Sequence, residues 1–269
     1  MPSIACEVTA RRELAPEIVL VSVHAPAVAR AAEPGQFVFI RVGPGDAADP
    51  FLRRPMSLAG IDASAGQIDL VIRAMGRGTR ALAGTEPGRT WDVIGPLGRG
   101  YPRPAQGKSL LVGGGTGAAS LMPLAQSIVG GSGPQTAQTR MLMLLGARSS
   151  PELWAPGLAR ERGLPALFAT DDGTAGHPGL VTDLLRAEVR SGQIGTVYAC
   201  GPVPMLRAVQ EIAVGAGVPC YISLEQRMAC GVGACRGCSW PRSGGSGSGR
   251  GYVRVCRDGP VFSAKEVLL

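Results

Sequence analysis

The chain has 269 residues, enough for two compact domains and a small module. With 45% hydrophobic and 17% charged residues it is not disordered throughout, and 40 glycines and 22 prolines predict many tight loops on an ordered scaffold. The net charge of +7 is almost entirely arginine, since Lys108 and Lys265 are the only lysines; the basic residues are scattered and aromatics are 4%, which argues against a nucleic-acid-stacking surface.

The N-terminal MPSIACEVTARRE lacks the apolar stretch of a signal peptide. The longest uncharged stretch, between Lys108 and Arg140, is interrupted by Gly113, Gly114, Gly115, Gly117 and Pro123, so no membrane span is expected and the chain is read as cytoplasmic. In that compartment seven cysteines point to metal ligands or bystanders rather than disulfides.

Taken in order, the first third predicts short strands: 18–23, then 36–42 after a Pro-Gly turn. Arg53-Arg54-Pro55-Met56-Ser57-Leu58, by itself, reads as a charged edge strand. Residues 68–73 alternate, with Ile68, Leu70 and Ile72 on one face. Arg77-Gly78-Thr79 marks a helix start, and 91–94 is a strand ended by Gly95-Pro96. Closely spaced strands with almost no helical periodicity predict an antiparallel barrel or sandwich over 1–103.

From 104 to 219 the pattern becomes strand–helix alternation. Strands are expected at 109–112, 141–145, 166–169 and 196–199, and helices from Ala118, over 181–190 and over 205–213. That order predicts a parallel sheet covered on both faces. Gly113-Gly114-Gly115-Thr116-Gly117-Ala118 satisfies G-x-G-x-x-A between a strand and a helix, the arrangement that brings backbone amides to a pyrophosphate. Cys200-Gly201-Pro202 follows a strand at the sheet's carboxyl edge and is a candidate to line the same nucleotide pocket. The second strand ends in Gly146-Ala147-Arg148-Ser149 instead of an acidic residue, which leaves NAD and NADP both open.

Residues 220–269 are too few for another core and hold five cysteines and the Gly/Ser tract 243–251, read as a flexible surface loop. Cys230, Cys235, Cys238 and Cys256 are spaced C-x4-C-x2-C-x17-C, the plant-type spacing for a 2Fe–2S cluster. Zinc is the competing ligand, but its sites usually pair two C-x2-C units and one is present here. Cys6 and Cys220 read as buried apolar residues. No catalytic acid/base constellation is evident, and His24 and His177 read as surface residues.

Arg54–Ser57 (RPMS), Gly76–Thr79 (GRGT), Gly95–Gly98 (GPLG), Gly113–Gly117 (GGGTG) and Cys200–Met205 (CGPVPM) resemble the ferredoxin-reductase superfamily. Thr170–Leu185, Ser223–Cys238 and Val255–Phe262 are similar to the electron-transfer subunits of dihydroorotate dehydrogenase B within it. The resemblance implies an FAD-binding barrel, an NAD-binding domain and a 2Fe–2S module. In it, Arg54 meets the FAD phosphates and Ser57, two residues past Pro55, the flavin ring edge. Val71, Ile72 and Arg73 lie along the cofactor, with Gly78 and Thr79 at its pyrophosphate. Gly113 to Gly117 and Cys200 to Pro202 would take NAD. The implied partner is an FMN-carrying, dihydroorotate-oxidising catalytic subunit of pyrimidine synthesis, in a heterotetramer. Two departures stand out. Met56 replaces the aromatic residue that many reductases stack on the flavin, and a Gly/Ser insertion precedes Cys256. Two alternatives keep their place. One is a related NAD(P)H:acceptor reductase, favoured by Arg148; the other is a zinc-stapled nucleotide-sensing regulator.

Overall fold

A computed structural model describes residues 3–43, 49–130, 134–244 and 251–269. The first unit comprises β1 (Ile4–Ala15), β2 (Ile18–His24), α1 (Pro26–Ala31), β3 (Phe37–Ile40), β4 (Arg54–Asp62), β5 (Gln67–Arg73), α2 (Arg77–Ala83) and β6 (Thr90–Leu97). Its six strands close into an antiparallel barrel in the order β1-β2-β5-β4-β3-β6. Alternation explains the closure: Val21, Ile40, Leu58, Leu70 and Ile72 point inward and are fully buried.

Three readings of this region change. β1 was not expected; apart from Cys6 and Val8 its side chains are exposed or half-buried, so its apolar signal is thin. β4 is no edge strand, because β3 and β5 pair on either side of it. β6 does not stop at Gly95-Pro96 but continues to Leu97, since a register shift against β3 between Phe37 and Phe39 absorbs the dipeptide.

The second unit holds β7 (Lys108–Gly114), α3 (Ala118–Val129), α4 (Pro134–Arg140), β8 (Met141–Ala147), α5 (Ala155–Glu161), β9 (Ala166–Thr170), β10 (His177–Pro178), α6 (Val181–Ser191), β11 (Ile194–Cys200), α7 (Val203–Gly215) and β12 (Cys220–Ser223). After β12 come β13 (Ser239–Pro241), β14 (Tyr252–Arg254), α8 (Val255–Asp258) and β15 (Val261–Ser263). The sheet order is β10-β9-β8-β7-β11-β12-β15, parallel except for β15. Both faces are covered. Leu121, Met122 and Leu158 of α3 and α5 pack on Leu111, Met143 and Leu145, while Leu185, Leu206 and Val209 of α6 and α7 pack on Leu110, Val112 and Leu144. Burial on both sides is why these strands read as continuous apolar runs.

β12 and β15 flank the cysteine segment in sequence and lie side by side in the sheet, so the segment leaves and re-enters at one edge. β13 and β14 form a small separate ribbon. Of the Gly/Ser tract, residues 245–250 lie outside the described residues. Among the described residues no helix is long and apolar enough to cross a membrane.

Candidate functional site

A cleft of about 860 Å³ lies where the barrel meets the sheet. The barrel contributes Arg54, Pro55, Met56 and Ser57 from β4, Val71 and Arg73 from β5, and Thr79 from α2. Ile72, between two of these on a strand, faces the barrel core instead. Gly78 acts indirectly: a Cβ there would stand 2.6 Å from Arg54 Nε, so glycine lets the guanidinium lie against the first turn of α2 and joins the two motifs in space. The Thr79 hydroxyl closes that turn, accepting the N–H groups of Met75 and Gly76 at 3.1 and 3.0 Å. Arg53 also lines the cleft, but its guanidinium is committed to the barrel; it donates to the Asp92 carbonyl at 2.8 Å and to its carboxylate at 2.9 Å.

The glycine loop and the Cys200 turn meet at the carboxyl ends of β7 and β11. Gly113 and Gly114 finish β7, and Gly115 to Gly117 form a 3-10 turn before α3. Gly115 has φ +55°, which glycine adopts without strain. A Cβ at Gly117 would stand 2.6 Å from the Cys200 carbonyl oxygen, and one at Gly201 3.1 Å from Gly114 Cα. The two segments therefore pack backbone to backbone, with Pro202 against Gly114. Of this set Thr116 lines the cleft. The Cys200 thiol is buried and pushed up to about 12 by that burial, so it is a neutral group.

The far wall was not anticipated. Ser223, Leu224, Glu225, Gln226, Arg227 and Met228 all line the cleft, opposite the barrel. Burial holds the Glu225 carboxyl above its usual range. The available signal was the polar run EQR between the apolar end of β12 and the first cluster cysteine.

That wall runs within two residues into Cys230. Around the four thiols backbone N–H groups point at sulfur: Cys235 at Cys230 Sγ, Gly237 at Cys235 Sγ and Cys256 at Cys238 Sγ, each at 3.4 Å. Cys238 and Cys256 have their sulfurs 3.2 Å apart and are buried, whereas Cys235 is exposed. Against the upward pull of burial, the N–H groups of Cys235, Val232 and Ala234 lower the Cys230 thiol to about 6. Burial and the neighbouring Cys238 push Cys256 up to about 12. Among the described residues no three such side chains gather tightly round one point for a single metal ion. Gly231, at φ +71°, lets the loop lie on the Phe39 ring of β3, which seats the cysteines against the barrel.

The cleft pairs an apolar surface (Phe37, Met56, Val71, Leu224) with convergent arginines and hydroxyls, which suits a flavin ring joined to a diphosphate. Thiols with N–H groups aimed at sulfur suit an iron–sulfur cluster. A flavin- and iron–sulfur-carrying oxidoreductase of the ferredoxin-reductase type is the class these features define. The family model for the oxidoreductase FAD-binding domain matches residues 5–101, and that for the iron–sulfur cluster binding domain of dihydroorotate dehydrogenase B matches 225–268. The dihydroorotate dehydrogenase B (NAD(+)) electron transfer subunit of Geobacillus thermodenitrificans is 41% identical over 265 residues, 97% of each chain. The subunit of the same name from Geobacillus kaustophilus is 43% identical over 240 residues, covering 88% of this chain and 87% of that one. The chain belongs to this family of electron transfer subunits. Among solved structures, an NADH-dependent reduced ferredoxin-NADP oxidoreductase studied for flavin-based electron bifurcation matches with TM-score 0.82 and 31% identity, over 97% of this chain and 88% of that one.

Proposed function

We propose that this chain passes electrons from the FMN of a dihydroorotate-oxidising partner subunit, through 2Fe–2S and FAD, to NAD+, in pyrimidine synthesis. The carrying observation is continuity: one segment, 223–228, walls the cleft and leads directly to Cys230. A bound flavin exchanges hydride with a nicotinamide and single electrons with a cluster, which is the conversion this order of sites requires. The chain's own residues hold and orient. Arg54 supplies a cation for the diphosphate, Arg73, paired with Glu152 at 3.5 Å, lies along the cofactor, Ser57 offers a hydroxyl at the flavin edge, and the glycine loop with the Cys200 turn forms a close-packed floor for the dinucleotide. Cys230, Cys235, Cys238 and Cys256 ligate the cluster, and the exposed Cys235 side faces the partner. The assembly is a cytoplasmic heterotetramer with the FMN-carrying subunit. Dihydroorotate oxidation is assigned to that subunit.

The test is the visible spectrum of anaerobically purified protein before and after NADH, then coupled turnover with the partner. Flavin bands and an iron–sulfur shoulder that bleach with NADH, and NAD+ reduction by dihydroorotate in the reconstituted complex, are expected. Colourless, zinc-containing protein overturns the proposal. Faster reduction by NADPH than by NADH, with no dihydroorotate-linked turnover, moves it to the acceptor-reductase alternative raised by Arg148.

A further inference from the structure

The connection between β6 and β7 is tied to every part of the molecule it passes. Gln36 Nε2 donates to the Gly98 carbonyl at 2.8 Å from the barrel side. The Arg99 N–H donates to the Gly259 carbonyl at 2.7 Å, on the C-terminal segment. The Tyr101 N–H returns to the barrel, donating to the Pro34 carbonyl at 2.8 Å. Tyr198 of β11 donates its hydroxyl to the Pro102 carbonyl at 2.9 Å. A segment held from three sides is a joint rather than a hinge.

Tyr101 sits at the centre of that joint. Its ring fills the space at Gly35, where a Cβ would meet it at 2.7 Å, and stands edge-on to Tyr198 with centroids 5.6 Å apart. Its hydroxyl is 3.2 Å from Ser120 Oγ, in the first turn of α3. Ser120 has one hydroxyl proton and donates it to the Gly117 carbonyl at 3.1 Å, so Tyr101 is the donor of the pair. Ser223, at the end of β12, and the Cys200 thiol are buried beside the same hydroxyls. Burial keeps the phenol far above its ordinary range, so it stays a donor at any working pH. One hydroxyl thus connects a linker pinned to the barrel with the glycine loop and with the end of β12, where the far wall of the cleft begins.

Building on the electron-transfer reading, we propose that Tyr101 is a positioning residue: its hydroxyl, through Ser120 and Ser223, fixes the glycine loop and the end of β12 against the barrel, and so sets how a nicotinamide approaches the flavin. Misplacing reacting groups by about 1 Å costs up to about a hundredfold in rate, so small slack here matters.

Tyr101→Phe removes the hydroxyl and keeps the ring. In FAD- and cluster-loaded protein, rapid mixing with NADH follows flavin reduction and the long-wavelength charge-transfer absorbance of the nicotinamide–flavin pair. Amide exchange is followed over 98–102 and 115–120. The expected result is roughly a tenfold to hundredfold slower reduction at saturating NADH. Charge-transfer absorbance weakens, exchange over 115–120 quickens, and FAD affinity and the cluster spectrum are unchanged. Ser120→Ala should match it, and the double variant should be no worse than either alone. A wild-type rate and charge-transfer band in Tyr101→Phe overturn the proposal, even if the melting temperature falls. If wild-type flavin is not reduced by NADH or NADPH, the nucleotide reading fails, and the exchange data then decide the joint: lost protection over 115–120 upholds it and unchanged protection overturns it.

Discussion

In the barrel every strand has a hydrogen-bonded neighbour on both sides, and the interior is a closed apolar set in which branched side chains predominate. The described residues of 224–269 offer far less: two three-residue strands, a four-residue helix and one short sheet strand. Their loop N–H groups turn to thiol sulfur at 3.4 Å, a long and weak contact compared with an amide–carbonyl bond. The barrel therefore satisfies its own backbone and folds on its own pattern, whereas the order of the cysteine loop is linked to whatever the four sulfurs hold. One chain combines a scaffold that needs no ligand with a module that does.

The sharpest break of that comparison is Cys235→Ser. Loss of this proposed ligand should remove the cluster and, with it, transfer between subunits, expected to fall about a hundredfold or more. NADH reduction of FAD should stay within a few-fold, because the cleft's barrel wall is untouched. Iron and sulfide analysis with coupled and uncoupled assays checks both halves, and limited proteolysis should now cut within 229–238 while sparing the barrel. Arg54→Ala reverses the pattern. Removing the charge-assisted partner proposed for the diphosphate should cost about 1.5–3 kcal/mol, read as a tenfold to hundredfold weaker FAD affinity by fluorescence titration, with the cluster absorbance retained.

The same contrast governs what was legible in the sequence. Ile68, Leu70 and Ile72 announced a barrel strand by alternation, and C-x4-C-x2-C announced the cluster, because each signal is carried by residue types at fixed spacing. β1 was missed since Cys6 and Val8 are its only fully buried side chains. The far cleft wall was missed for a different reason. Glu225 and Arg227 lie in the family-like stretch Ser223–Cys238, but nothing in its spacing assigns them to a cofactor, and what makes them part of the cleft is β12 lying beside β11, a fact of topology. Tyr101 was equally silent, because its role depends on Ser120 and Pro34 converging on a linker.

Two arginines on the barrel–sheet junction test how firmly the frame is set. Arg162 reaches back from the end of α5 to Asp69 at 2.7 Å, with side chains 12% and 22% exposed, and also donates to the Ala59 carbonyl. Asp69 in turn accepts the Ser22 hydroxyl at 2.7 Å. Arg162→Met leaves that carboxylate without its cation in a half-closed site and should cost about 1–3 kcal/mol by denaturant unfolding. Arg12 and Glu161 also lie 2.7 Å apart but are half exposed, so Arg12→Ala should cost about 0–1 kcal/mol. Equal losses would mean that burial does not distinguish these two braces.

The smallest effects should appear in pH dependence, with opposite signs in frame and cleft. Asp92 of β6 is pulled upward by burial but held below its ordinary value by Arg53, Ser3 and Arg41. A lowered carboxylate contributes stability that is present above its unfolded value, about 3.9, and lost as pH falls through the lower folded value. Glu225 is raised by burial, so its contribution is present below its unfolded value, about 4.3, and lost as pH rises through the higher folded value. The melting-temperature deficit of Asp92→Asn relative to the parent should therefore be constant at neutral pH and shrink on acidification. Glu225→Gln should instead gain on the parent as pH rises from 4 to 8. Parallel slopes in the two variants would show that the cleft carboxylate is as well solvated as any surface acid, and would remove burial as the cause of its raised value.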